Sequence, residues 1–322
     1  MPQKDPHYSD VILKSPTEVV YLEYTPSRLP PKPSDEWTRF VCISDTHARR
    51  FEIPDGDVLL HSGDLTNMGL VKDFEKTTEW LYTLPHKIKI IIAGNHDLTL
   101  HTEYYEQAHV YNHKVKQDVE VILKMLKGSG AKKAGLIYLH DEEYKFQVNG
   151  KGREWSVYGS PWSPEFFDFA FGYPREDAPD LIAKFPKTDI LLTHGPPFQI
   201  LDQVISGLEV GCEALRDRLP ELRPRLHLFG HIHEAHGACI HAWDPALGNA
   251  PPTIQNTDPS MSIDRPEVKD AEAPAETTDT ELDKTVFVNA ANWPMGRNAH
   301  REDSKPPFGG PGFQAVVVDL KN

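Results

Sequence analysis

The chain is poor in cysteine. It has three, Cys42, Cys212 and Cys239, far apart and odd in number. A disulfide framework is not expected, the three read as small core hydrophobes, and a reducing cytoplasmic setting is the default. No apolar run approaches the ~18–20 residues that a membrane span needs. The opening residues, MPQKDPHYSD, hold no apolar stretch of the secretory kind, so no leader is expected. Positive charge is also short: 34 Lys and Arg face 48 Asp and Glu, a net charge of −14. That balance argues against a nucleic-acid polymer as partner, because there is no cation surplus to displace its counterions. Nothing resembles a glycine-rich phosphate cradle, and Gly309-Gly310 reads as a turn. Apolar residues still make up 39%, too many for a wholly disordered chain. What the chain has in excess is histidine, sixteen in all.

The first 36 residues are mostly polar and end in Pro30, Pro31 and Pro33, so they read as an N-terminal arm with one edge-strand candidate, Val19 to Tyr24. A single domain is expected over 37–322. Its strand candidates are Thr38–Ser44, Asp57–Ser62, Lys87–Ala93, Trp155–Gly159, Asp189–Thr193, Leu226–Phe229, Val286–Ala290 and Ala315–Leu320. Lys72–Leu84 has helical spacing, with Phe74, Thr77, Thr78 and Leu81 on one face and Pro85 as the stop. A long helix is expected over His101–Leu126 and a short one over Glu213–Leu219. Short apolar strands alternating with helices imply an α/β fold with sheets covered by helices. The stretch from Ala242 to Lys284 breaks this grammar. It holds ten acidic residues against three basic ones and almost no aliphatic cluster. Such a composition reads as a flexible acidic insertion at about 242–284.

The strand candidates end in metal-ligand residue types: Asp45-Thr46-His47, Gly63-Asp64, Gly94-Asn95-His96-Asp97, Thr193-His194-Gly195 and Gly230-His231-Ile232-His233. Strand ends in α/β sheets converge on one crevice, which is where ligands bind. One such histidine would be unremarkable. Five clusters in phase with five strands are hard to explain as packing, because each sets costly polar groups at the edge of an apolar run. Asp45 and His47 are two apart, so in extended chain they face one side. Asp64 has two oxygens and can bridge two cations. The set mixes nitrogen and oxygen donors without thiolate, which suits Mn²⁺, Fe, Zn²⁺, Co²⁺ or Ni²⁺ and disfavours Ca²⁺. Two such ions would activate a bridging hydroxide and neutralise a transferring phosphoryl group.

These motifs, in this order, resemble the calcineurin-like metallophosphoesterase superfamily across about residues 38–320. Tyr158-Gly159-Ser160-Pro161-Trp162, Thr193-His194-Gly195-Pro196-Pro197, the stretch Leu226 to Glu234 and Phe287-Val288-Asn289-Ala290 are similar to the metallophosphoesterase-domain-containing subgroup, known from animals and fungi and allied to class III cyclic-nucleotide phosphodiesterases. A fungal member is expected. The resemblance implies a four-layer αββα sandwich of two mixed sheets with a dinuclear metal site at the strand ends. It implies Asp45, His47, Asp64 and His233 on one metal, and Asp64, Asn95, His194 and His231 on the other, with manganese favoured. His96 matches the histidine that meets the scissile phosphate or its leaving group, and Asp97 is expected to orient His96. Asn67, Arg49, Arg50 and Arg297 are candidates for binding substrate. His61, His140 and His236 read as structural or rim residues.

The expected activity is a dinuclear metal-dependent phosphoric ester hydrolase acting on a small phosphate ester, with a phosphodiester, and a cyclic nucleotide among them, favoured by the resemblance. The runner-up enzyme is a phosphomonoesterase on a small-molecule intermediate. A weakly active nucleotide-binding scaffold is the rival from another class, and both histidines of Gly-His-x-His being present counts against it.

Overall fold

β-Branched and aromatic residues crowd the apolar runs, and such residues fit a pleated surface that is buried on both faces. A computed structural model describes residues 11–24, 29–148, 150, 152–204, 206–254, 282–291 and 314–322. In chain order the first half gives β1 (Val11–Lys14), β2 (Glu18–Glu23), β3 (Trp37–Ile43), β4 (Val58–His61), α1 (Val71–Thr83), β5 (Ile88–Ile91), α2 (Thr102–Asn112), α3 (Val119–Lys127), α4 (Ser129–Lys133), β6 (Leu136–Tyr138) and β7 (Glu142–Phe146). The second half gives β8 (Trp155–Ser160), β9 (Ser163–Pro164), β10 (Gly172–Tyr173), α5 (Ala178–Ile182), β11 (Ile190–Thr193), α6 (Glu213–Leu222), β12 (Leu226–Phe229), β13 (Gly237–Ala242), β14 (Lys284–Asn289) and β15 (Val316–Lys321).

Two large mixed sheets result, with β9 and β10 as a separate parallel pair. One has the order β1-β2-β15-β3-β4-β5-β6, the other β13-β14-β12-β11-β8-β7. Strands β3 to β6 run parallel, as do β8, β11, β12 and β14, while β13 and β7 close the second sheet antiparallel. Alternation along each strand sorts the side chains into layers. Phe40, Cys42, Leu60 and Ile90 face Val157, Leu192, Leu228 and Val288 across the middle of the molecule. Val41, Ile43 and Ile91 point the other way, onto Phe74 and Leu81 of α1 and Ile122 and Leu126 of α3. Tyr158 and Leu191 face Ile182 of α5 and Leu215 and Leu222 of α6. The layers are therefore helix, sheet, sheet and helix, as expected. Each fully buried aliphatic side chain contributes about 1.5–3 kcal/mol to holding them together.

Four sequence expectations shift. The 1–36 arm is not all arm: β1 and β2 join the first sheet, and β2 lies inside it, between β1 and β15. The helix expected over 101–126 is two helices. His113 turns extended at the end of α2, and its ring is held between the Tyr105 hydroxyl at 2.7 Å and the Met68 carbonyl at 2.8 Å. Asp118 then caps α3 by accepting from the Val121 N–H at 3.2 Å. Strands β1, β6, β7, β9, β10 and β13 were absent from the strand candidates. Finally, the segment at 242–284 is anchored at both ends. Ala242 pairs with Lys284, and Trp243, 1% exposed, donates from Nε1 to Thr285 Oγ1 at 2.8 Å. Residues 255–281 of that segment lie outside the described residues.

Candidate metal centre

The turns that follow β3, β4, β5, β11 and β12 meet at one point between the two sheets. The backbone there is bent unusually: Asp45, His47, Asp64 and His231 all have positive φ, at 54°, 46°, 55° and 68°. Left-handed backbone costs a non-glycine residue of order 1–3 kcal/mol, so four such residues in one cluster mark a surround that over-determines them. Two glycines are needed for the opposite reason, close approach. A Cβ on Gly94 would fall on Asp64 Oδ1 and within 2.6 Å of His194 Cε1, and one on Gly230 would fall on Asp45 Oδ2. The glycines of Gly-Asn-His-Asp and Gly-His-x-His leave room for the carboxylates.

Asp64 lies at the middle. Its Oδ2 is 3.6 Å from His47 Nε2, and its Oδ1 is 3.5 Å from His194 Nε2. On one side Asp45, His47 and His233 offer atoms within 4.8 Å of one another. His233 Nε2 is 3.3 Å from Asp45 Oδ1, and the backbone N–H of His231 donates to both Asp45 oxygens at 3.1 and 3.2 Å. On the other side Asn95 Oδ1 lies 2.8 Å from both His194 Nε2 and His231 Nδ1. Asp45, Asp64 and His194 are 0–1% exposed.

The donor set fits divalent cations. His194 Nδ1 lies 2.9 Å from the Ser62 carbonyl, to which it can only donate. In its neutral form Nε2 then carries a lone pair, aimed at the acceptor oxygens of Asn95 and Asp64. Lone pairs that converge this way need a positive charge between them. Two of the imidazoles are disfavoured from protonating: burial pushes His231 down to about 3 and holds His47 well below its usual value, whereas burial of His233 is outweighed by its hydrogen bond to Asp45, which raises it. Burial alone would raise Asp45, but its hydrogen bond to His233 and the charges of His233, His194 and His47 keep its carboxyl well below the ordinary range. His47 and His231 kept neutral and Asp45 kept ionised are metal donors in the state that binds, while burial raises the Asp64 carboxyl, which a cation beside it would offset. Ser62 stitches the sheets together here, its hydroxyl directed at the Thr193 carbonyl and, at 3.2 Å, at that of Leu228.

The remaining site candidates fall into place unequally. His96 is half-buried beside the cluster, its ring 4.9 Å from that of His47. Its Nδ1 is 2.7 Å from the Asn67 carbonyl, and its backbone N–H donates to Asp64 Oδ1 at 2.8 Å. The expectation that Asp97 orients His96 does not match the geometry. Asp97 accepts instead from the N–H groups of Gly94, Leu65 and Thr66 and from the Thr66 hydroxyl, at 2.8–3.1 Å, and so ties the turn after β4 to the turn after β5. The orienting partner of His96 is a main-chain carbonyl, which a reading of side-chain types does not find. The Asn67 amide is also engaged: Nδ2 donates to the His47 carbonyl at 3.0 Å. Arg50 turns away from the centre to Glu79 on α1, 2.8 Å distant, and to the Lys76 carbonyl. Arg49 is half-buried at the turn after His47. Arg297 lies outside the described residues. His140 is partly exposed beside Asp141, and His236 is buried with Nδ1 2.8 Å from the Ala291 carbonyl, both consistent with structural or rim roles.

Two supporting pairs escaped the sequence reading. Thr46 Oγ1 is 2.9 Å from His61 Nε2, and Thr193 Oγ1 is 3.0 Å from His227 Nε2. Each threonine neighbours a ligand-type residue, and each buried histidine comes from an adjacent strand. The signal was present in the sequence as Asp-Thr-His and Thr-His beside histidine-bearing strands.

A double sandwich with buried carboxylates and imidazoles gathered at its joined strand ends defines a metal-dependent phosphoester hydrolase. The chain belongs to the calcineurin-like phosphoesterase family, whose model matches residues 38–235. It is 37% identical to the metallophosphoesterase domain-containing protein 1 of Homo sapiens over 268 residues, 78% of this chain and 77% of that protein. A UPF0046 protein of Caenorhabditis elegans is 33% identical over 66% of this chain and 74% of its own length. A protein of Emericella nidulans named probable rhamnogalacturonate lyase C is 40% identical over 66% of this chain, but the match covers only 19% of that longer protein.

Proposed function

We propose that this chain hydrolyses phosphodiesters, cyclic nucleotides among the candidates, at a pair of divalent metal ions, with manganese favoured. The observation that carries this reading is the position of Asp64, one oxygen toward His47 and the other toward His194. Asp45, His47, Asp64 and His233 would hold the first ion, and Asp64, Asn95, His194 and His231 the second. Metals so held supply positive charge to a phosphoryl group and acidify bound water.

The chain's own residues do the rest. His96 is held through Nδ1 at the Asn67 carbonyl, which leaves Nε2 as the nitrogen to pass a proton to a departing oxygen. Asp97 keeps Asp64 and Asn95 in register by bonding the backbone of both turns. The diester preference rests on charge. A diester is a monoanion, whereas a monoester dianion gains most from fixed guanidinium clamps, and Arg50 is committed to Glu79. Three free cysteines, Cys42 and Cys212 of them buried, suit the reducing cytoplasmic setting proposed for the protein. Among the described residues, no helix is long and apolar enough to cross a membrane.

The test is turnover of bis-p-nitrophenyl phosphate against p-nitrophenyl phosphate by the Mn²⁺-loaded protein. Faster diester turnover is expected. Faster monoester turnover would overturn the diester preference, and turnover of neither would overturn the enzymatic reading.

A further inference from the structure

Between β9 and β10 runs the loop 165–171, with the sequence Glu-Phe-Phe-Asp-Phe-Ala-Phe. It is pinned from the α2 side, where the Phe171 N–H donates to His101 Nδ1 at 2.9 Å and the Tyr104 hydroxyl donates to the Asp168 carbonyl at 2.7 Å. Two of its rings lie against histidines on opposite sides of the metal centre. Phe169 is 4.7 Å from His96, and Phe166 is 6.3 Å from His231, centroid to centroid. Phe167 packs edge-on against Phe166 at 4.4 Å.

Phe166 and Phe167 gain little from the core. They are 59% and 74% exposed, and Phe167 sits at a φ of 53°, which an aromatic residue rarely adopts. A pair of large apolar rings held in water on a strained turn points to a contact made outside the core. Its place tells which. An ester held between His96 and His231 has these rings beside it.

We propose that Phe166 and Phe167 form a stacking face for a neutral, planar aromatic substituent of the substrate, so that aryl or nucleoside phosphate esters are preferred over alkyl ones. The proposal rests on the phosphoesterase reading above. An aromatic ring is indicated over an alkyl chain because edge and face of two phenyl rings are both offered, and π-systems prefer such offset or edge contacts. A polyanionic substituent is disfavoured, because Glu165 and Asp168 are the charged residues of this loop and it holds no Lys or Arg. Stacking of one base on an aromatic side chain amounts to about 1–3 kcal/mol, so the preference should be about tenfold or more.

The experiment is calorimetric titration of the metal-loaded protein with phenyl phosphate, thymidine 5′-monophosphate and methyl phosphate. The wild type should bind the first two at least about tenfold more tightly than the third. In Phe166→Leu/Phe167→Leu both should fall to the affinity of methyl phosphate, with the melting temperature showing that the variant is folded. Tighter binding of phenyl phosphate alone places a simple aryl group on the rings, and of the thymidine ester alone a nucleobase. Equal affinity for all three in the wild type, or a preference that survives in the double variant, overturns the proposal. So does a variant that changes the sedimentation of the protein and keeps the wild-type order of affinities, since the rings would then join two copies. Turnover of bis-p-nitrophenyl phosphate by the same wild-type sample reports separately on the phosphoesterase reading.

Discussion

The Asp64 carboxylate occupies the space in which a side chain on Gly94 would begin. The two residues come from turns 30 positions apart in the chain, and Asp97 locks those turns together by bonding the Gly94 and Leu65 backbones. Gly94→Ala should therefore push Asp64 off its position while leaving the distant core intact. We expect loss of at least one metal ion per chain and a fall in turnover of about 100-fold or more, equivalent to about 2.7 kcal/mol of barrier. Elemental analysis and circular dichroism on one sample check this; full metal content with near-normal turnover would show that Asp64 has freedom the packing denies it.

His96 should matter according to the leaving group. A p-nitrophenolate departs without a proton, so His96→Ala should cost bis-p-nitrophenyl phosphate only a few-fold. An alkoxide needs one, so a nucleotide diester should lose about 10²–10⁴-fold. Comparing kcat/KM for both substrates in wild type and variant decides it, and equal losses would reduce His96 to a positioning role.

Buried His227 sets part of the acid stability. The Thr193 hydroxyl donates to the Gly195 carbonyl at 2.8 Å, so it accepts from His227 Nε2, and burial lowers the pKa of this histidine to about 3. A histidine that must lose its proton to fold contributes stability fully above the unfolded value near 6.5. That contribution is lost as the pH falls from 6.5 toward 3. His227→Gln should flatten the decline in unfolding free energy over this window by up to about 1.4 kcal/mol per pH unit, read by urea titrations at a series of pH values. Parallel curves for wild type and variant would mean that His227 folds already protonated.

The acidic segment should divide in two. Replacing residues 255–281 with a short Gly/Ser linker should leave kcat within a few-fold, because the stretch adds no histidine or cysteine to its carboxylates and the donor set of the centre comes from the strand ends. Trp243→Ala, by contrast, removes a ring buried against Ile200, Leu219 and Phe287 and should cost about 3–5 kcal/mol of stability. Thermal unfolding and steady-state kinetics on both variants separate the effects, and a folded linker variant that loses more than about 100-fold in kcat would show that the segment completes the site.

Much of this was legible in the sequence because the signals were local. Apolar runs such as Lys87–Ala93 and the polar residues just beyond them gave the strands and the side chains that gather at the centre. What the sequence hid were pairings at a distance. The β1–β2 hairpin reads as an arm with one edge-strand candidate, Val19 to Tyr24, because its short apolar runs sit among polar residues and prolines, and that strand is an inner one only because β15 from the far end of the chain adds to it. Asp97 looked like a partner for its neighbour His96, but its oxygens go to main-chain N–H groups of its own turn and of the turn after β4, and to the Thr66 hydroxyl, which residue type does not encode. Arg50 looked free to meet phosphate until α1 brought Glu79 beside it. Phe166, Phe167 and Phe169 carried no motif, and only the fold sets them beside His231 and His96.

The most direct test of the central claim is the metal content of Asp64→Ala beside that of the wild type and Asn95→Ala, measured by elemental analysis after gel filtration. The account predicts two ions per chain in the wild type, a selective weakening of one in Asn95→Ala, and loss of both in Asp64→Ala together with activity. Two tightly held ions in Asp64→Ala would contradict it, because no carboxylate would then be needed between His47 and His194.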